Sequence, residues 1–207
     1  MIIKKNLGED LNVAEQLKLA TKEDHKMVEI EMRSAELFSR TFDRHRYQQH
    51  LAILWNSYRS ILDNFEPYQC NPIIEKYTSQ LNLDEAAILG DLKDLGAKNH
   101  ITKRQPILMN SLEAIGAVYV LLGSSMGRSM IGKKLSSSIA AWHSSPPKYY
   151  SQNGSEIQLF QDFKTELNKL KLNHPQLEDM IAGAKKAFQV FRTVARNHYE
   201  TKQTISE

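Results

Sequence analysis

Apolar residues recur at spacings of three and four along almost the whole chain, and the series Tyr47, Leu51, Leu54, Tyr58, Leu62 and Phe65 is the clearest example. Alternating β-branched runs bounded by hairpin turns are absent. Stripes of this period are buried helix against helix, so the pattern predicts an all-α, multi-helical bundle. With 207 residues and 41% hydrophobic content the chain is long enough for one substantial core. It has no internal repeat and no linker that would set off a second domain. The expected organisation is a tail over 1–11, one helical domain over 12–200 and a tail over 201–207.

Local signals place the helices. Asn12, with Glu15 three residues on, reads as a capping box opening a helix that runs to about Ser34. Asp43 caps the second helix. The stretch "EPYQCNP" breaks the pattern; short helices are expected around 72–81 and 84–95, followed by the polar loop "GAKNHITKRQP". Asn110 with Glu113 opens a long helix that lasts to about Ser138. A loop over 143–154 leads to a helix capped by Ser155, and "NHP" at 173–175 separates it from a last helix ending near Tyr199.

The charge balance is 27 basic against 24 acidic residues, a net +3. That is too little field to hold long nucleic acid, and no nucleic-acid partner is expected. The single cysteine, Cys70, excludes an internal disulfide framework and a cysteine-based zinc cluster. The opening "MIIKKNLGEDLN" has no apolar core of the kind a leader carries, and no stretch approaches 18 uninterrupted apolar residues. The expectation is a soluble cytoplasmic protein without a membrane partner.

Two stretches stand out from this background. In "AVYVLLGSSMGRSMIGKKL" (117–135) glycines interrupt an apolar helix at Gly123, Gly127 and Gly132, with Gly116 just ahead, each at about 1 kcal/mol of helix stability relative to alanine. At about 100° per residue, Gly116, Gly123 and Gly127 fall within roughly 40° of one another and form a stripe, with Gly132 nearly opposite. A stripe without Cβ atoms lets something approach the backbone and lets the helix bend. Another helix packed closely and a large flat ligand both account for it. Val120 and Met130 flank the stripe and make the offered surface apolar.

The second stretch is "LKLATKEDHKMVE" (17–29). Lys18, Lys22 and His25 share a helical face, with Glu29 one turn beyond. A solvated charged face is one reading. The other places His25 at the edge of the core, where its imidazole binds a metal while Glu29 orients the second ring nitrogen. The remaining histidines are poorer candidates, since His45 and His50 lie about 140° apart on their helix. His100, His143 and His174 fall in loops, and His198 near the end.

Taken together, the two stretches resemble the heme oxygenase family, most nearly its bacterial, biliverdin-producing branch. "LKLATKEDHKMVE" is similar to the family's proximal helix, and "YVLLGSSMG" to its distal Gly-Ser-x-x-Gly signature, in the right order and about 100 residues apart. The resemblance implies a heme slot between these helices, with heme b as both substrate and cofactor. It implies oxidative opening of the ring to biliverdin, carbon monoxide and ferrous iron. His25 becomes the axial iron ligand and Glu29 its partner; Gly123 and Gly127 become backbone lying on the porphyrin, and Ser124 helps organise the proton-supplying water. Lys18 and Tyr119 match propionate-contacting positions, Lys22 is a further candidate, and Val120 lies on the apolar flank. Lys186 and Arg192 of the last helix are additional basic candidates without a motif to assign them. Phe188 and Phe191 read as pocket wall or as ordinary core.

An external electron donor of ferredoxin or other reductase type is implied, with Lys18, Lys22 and Lys26 as a docking rim. The chain departs from the bacterial pattern at Leu122, where glutamate is frequent, and at Arg128, where the residue is small. The alternative to an enzyme is therefore a non-catalytic heme carrier or sensor on the same fold. The related thiamine-degrading fold employs a cysteine nucleophile, and Cys70 in "PYQCNP" reads as structural or incidental.

Overall fold

The structure, a computed structural model, describes residues 11–97, 107–108, 110–140, 147–151 and 154–203. His100, His143 and most of the two expected loops lie outside the described residues, as do most of the N-terminal tail and the last four residues. Regular structure among the described residues is helical throughout: α1 (Val13–Ala20), α2 (Lys22–Glu31), α3 (Arg44–Leu62), α4 (Pro72–Asp94), α5 (Ser111–Ser125), α6 (Arg128–Ala140), α7 (Ser155–Leu167) and α8 (His174–Gln203), with short 3-10 turns at Ser34–Phe38 and Glu66–Tyr68.

The expected caps are in place. The Asn12 side chain accepts from the Glu15 amide at 3.0 Å while the Glu15 carboxylate accepts from the Asn12 amide at 3.3 Å, and the Asp43 and Asn110 side chains cap α3 and α5 by accepting from the Arg46 and Glu113 amides. The α7 cap is shifted by one residue: Gly154, at φ 84°, takes the cap position and Ser155 begins the helix.

Three helices differ from expectation, each for a physical reason. The first long helix is two, because Thr21 leaves helical geometry and turns its hydroxyl back onto the Leu17 carbonyl at 2.7 Å. The two short helices expected around 72–95 are one continuous α4; its interior acid, Asp84, is buried against a cation from another helix and does not face water at a break. The glycine-bearing helix is divided at Met126 and Gly127 into α5 and α6.

The core is organised on α8, which packs against α5, α3, α2 and α1, while α4 covers α3. Both α2 and α5 lie on α8 and scarcely touch each other. The stretch 111–136 passes a test of length and hydropathy for a membrane span, yet more than half of it is buried in the bundle and it is interrupted at Gly127.

Candidate active site

On α2 no residue is buried, so the helix rides on α8 by its partly covered side. His25 Nδ1 lies 3.7 Å from Glu29 Oε1, and the two side chains are 62% and 60% exposed. The imidazole meets Phe188 of α8 edge-on, centroids 6.0 Å apart. His25 thus stands further out than the core edge expected of it, with a single aromatic support. Lys22 shares its exposed face; Lys18 stands across the Thr21 break on α1, also exposed, and neither lysine is ion-paired among the described residues. Cavities of about 10 and 110 Å³ lie elsewhere, the first beside Met32 and His50 and the second beside Arg128 and Glu156.

The four glycines of the α5–α6 segment divide into two kinds. A Cβ on Gly116 would overlap the Met180 carbonyl oxygen and come within 2.8 Å of the Ala184 amide, and a Cβ on the facing Gly183 would overlap the Glu113 carbonyl. These two glycines let α5 and α8 cross backbone to backbone. Gly132 likewise abuts the Tyr150 carbonyl. Gly123 and Gly127 have no foreign backbone near them: a Cβ on Gly123 would meet only the Phe160 ring at 3.7 Å, and one on Gly127 only the Ile131 side chain, at 3.3 Å, one turn along its own helix. Close approach of another backbone, that of α8 at Gly116 and of the turn at Tyr150 at Gly132, explains these two and leaves Gly123 and Gly127 unexplained. Tyr119, one turn before Gly123, is half-buried against Phe160 (5.5 Å), and burial raises its phenol pKa.

Several site residues sit differently from their sequence reading. Val120 is closed over in the core at 3% exposure and offers no surface to a ligand, whereas Met130, on the other flank, is 57% exposed. Arg192 is not a free cation, since its Nε and a terminal nitrogen hold Glu31 Oε1 at 3.1 and 3.0 Å, together with Arg196 at 2.6 Å. Lys186 is spent on Glu113, at 2.7 Å to both carboxylate oxygens. Leu122 lies inside the core at 1% exposure. Arg128 turns away from the glycine turn into the protein, where it pairs with Asp84 at 2.7 Å and covers the Tyr149 ring at 4.9 Å.

Two side chains missed from the sequence complete the region. Tyr58 of α3 places its hydroxyl 2.8 Å from Ser124 Oγ, and Phe160 of α7 covers the Gly123 position. Tyr58 was legible only as one apolar-stripe residue among six, and nothing in the spacing of Phe160 signals its neighbour. A path of contacts links the two stretches: His25 to Phe188, and three residues along α8 Phe191 edge-on to Tyr58 at 6.3 Å, then Tyr58 to Ser124. One turn of α8 forms the floor between them.

The model of the family described as heme oxygenase matches residues 11–197, nearly the whole chain. The chain belongs to the heme oxygenase family. Solved heme oxygenases share the fold at low identity. The NO- and CO-bound heme oxygenase from Neisseria meningitidis is 21% identical with a TM-score of 0.74, over 92% of this chain and 93% of that one. The heme oxygenase from Leptospira interrogans is 18% identical with a TM-score of 0.69, over 89% and 98%. Heme oxygenase-1 of the cyanobacterium Synechocystis, solved in complex with heme, is 16% identical with a TM-score of 0.59, over 95% and 98%. No curated protein matches in sequence. The stretch that resembles the family's Gly-Ser-x-x-Gly signature carries the two glycines that no neighbouring backbone requires.

Proposed function

We infer that this heme oxygenase binds heme between α2 and the α5–α6 turn and opens the ring to biliverdin, with release of carbon monoxide and ferrous iron. The observation that carries the siting is the contrast among glycines: Gly123 and Gly127 alone in the segment have bare main chain facing only side chains. The residues fit a planar iron tetrapyrrole. His25 Nε2 has no hydrogen-bond partner among the described residues and would be the imidazole that holds the iron, and Glu29, at 3.7 Å from Nδ1, would orient the ring through water or after a small rotation.

When bound, heme supplies the iron at which dioxygen is reduced and the carbon that is oxidised, and the protein's work is positional. A neutral imidazole lacks the electron push of a thiolate, which favours O–O cleavage. Gly123 and Gly127 allow the main chain to lie against the macrocycle and keep the space above it narrow. Ser124, held by Tyr58 and lying between the two glycines in sequence, orders the water that delivers protons. Lys18, Lys22 and the Tyr119 hydroxyl receive the propionates. The electron donor is an acidic protein of ferredoxin type, met by the exposed Lys18, Lys22 and Lys26. A cytoplasmic setting, where such donors are available, accords with the absence of any disulfide pair in the sequence.

Arg128 was the strongest reason to prefer a carrier over an enzyme, and its withdrawal to Asp84 favours the enzyme. Hemin titration of the purified protein tests the reading: a Soret band that is lost in His25→Ala, followed under oxygen and a reductant by conversion to a biliverdin spectrum. A stable oxygenated complex that never yields verdin rejects turnover and leaves the carrier.

A further inference from the structure

Between α4, the start of α6 and the first turn of α7 lies a cavity of about 110 Å³, walled by Gln80, Arg128, Ser155, Glu156 and Leu159. Glu156 is only 2% exposed, and neither of its carboxylate oxygens has a hydrogen-bond partner among the described residues. Its place in the first turn of α7 puts it near the positive end of that helix, yet no amide there bonds it, so the helix compensates its charge only in part. Buried charges in proteins are paired or hold a cation.

The rest of the wall does not supply the pairing. Arg128, the cation at hand, is committed to Asp84 Oδ1 at 2.7 Å, and no ion pair joins it to Glu156 among the described residues. Gln80 donates to the same Asp84 oxygen at 3.0 Å, which keeps its own side-chain carbonyl as an acceptor. Asp84 Oδ2 is buried and unmatched. Burial raises the Asp84 carboxyl pKa, Arg128 opposes the rise and the charge of Glu156 adds to it. The two carboxylates therefore lie close enough to repel each other.

Charge and ligand type narrow the occupant. Asp84 and Arg128 cancel, leaving the single negative charge of Glu156. A monovalent cation brings the sum to zero, whereas a divalent one leaves a positive charge buried. The acceptors are hard oxygens, the donor set of alkali and alkaline-earth cations rather than of transition metals. No group of three or more His, Cys, Asp or Glu side chains that could hold a metal occurs among the described residues, which also weighs against a divalent site. The volume admits about three water-sized occupants, enough for one ion and two waters, one of them meeting the unmatched Arg128 Nε.

We propose that this cavity binds one alkali-metal cation, sodium or potassium, on the Glu156 carboxylate and Asp84 Oδ2, with Gln80 as a further ligand. The ion fastens the first turn of α7 to α4. Because α7 also carries Phe160, which covers Gly123, occupancy steadies one wall of the α5–α6 turn.

Thermal unfolding of the heme-free full chain tests this. At equal ionic strength the midpoint in potassium or sodium chloride is expected to exceed that in choline chloride by about 2–4 °C, and Glu156→Gln is expected to show one midpoint in all three salts. Equal wild-type midpoints overturn the proposal, as does a difference that persists in Glu156→Gln. A second measurement needs no variant. Thallium(I), a spectroscopic stand-in for potassium, is expected to give a bound NMR resonance that potassium or sodium nitrate displaces and choline nitrate does not; absence of that resonance overturns the site. A neutral-acid carbonyl band in the infrared spectrum at neutral pH, present in the wild type and missing in Glu156→Gln, identifies a protonated Glu156 and overturns it as well.

Discussion

Arg128 and Asp84 form an ion pair at 2.7 Å with side chains only 2% and 1% exposed, joining the first turn of α6 to the middle of α4. Removing one member of such a pair leaves the other charged and buried, which destabilises by about 3–5 kcal/mol. Asp84→Ala is expected to lower the unfolding free energy by that amount in urea titration. Replacing both, Asp84→Leu with Arg128→Met, is expected to recover most of the loss, because the desolvation of two charges is removed with their attraction.

The two kinds of glycine predict opposite outcomes for similar changes. Gly116→Ala and Gly183→Ala drive a methyl group into a facing carbonyl and are expected to lower the thermal midpoint sharply or to prevent folding. Gly123→Ala meets only Phe160 at 3.7 Å, so the fold is expected to hold and to gain up to about 1 kcal/mol of helix stability. Its hemin affinity falls nonetheless. Gly127→Leu extends the contrast, keeping helicity by circular dichroism while losing heme entry or turnover. Normal verdin formation in that variant would remove Gly127 from the site.

His50 is enclosed, with Nε2 2.6 Å from the Tyr150 hydroxyl, and burial lowers its pKa from 6.5 to about 4. The unfolded chain takes up this proton first, so the contribution is whole above about pH 6.5 and is lost as pH falls toward 4. The loss approaches about 3 kcal/mol, at up to about 1.4 kcal/mol per pH unit. Urea midpoints between pH 7 and 4 measure it, and His50→Gln is expected to flatten the profile relative to the wild type.

Lys18 and Lys22 are exposed, so each is worth no more than about 1 kcal/mol to a bound propionate, roughly a fivefold change in affinity. Lys18→Ala and Lys22→Ala are expected to weaken hemin binding by that factor at low salt and by less at high ionic strength. Equal affinities across the series would assign the propionates to other residues.

Patterns confined to one helix were legible in the sequence. The Asn12–Glu15 box, the α3 stripe and the shared face of Lys22, His25 and Glu29 all follow from spacing alone. What lies across a helix did not follow. The wheel grouped Gly116 with Gly123 and Gly127, yet a wheel gives direction and not partner: Gly116 faces Met180 from 64 positions away while Gly123 faces one ring. The partner of Asp84 was not legible because its cation, Arg128, lies 44 positions on, and Val120 read as offered surface because α5 alone does not reveal that it is covered on nearly every side.

The close crossing at Gly116 and Gly183 fixes α5 at one end, and Gly132 against Tyr150, with Arg128 locked to Asp84, fixes α6 at the other. Between these two moorings the stretch from Gly123 to Gly127 has no neighbouring backbone against its glycines and is tied by side chains alone. A guest pressed against that stretch is met by one yielding turn rather than by a moving bundle, so the grip on it can relax and tighten while the framework that aims it stays at rest.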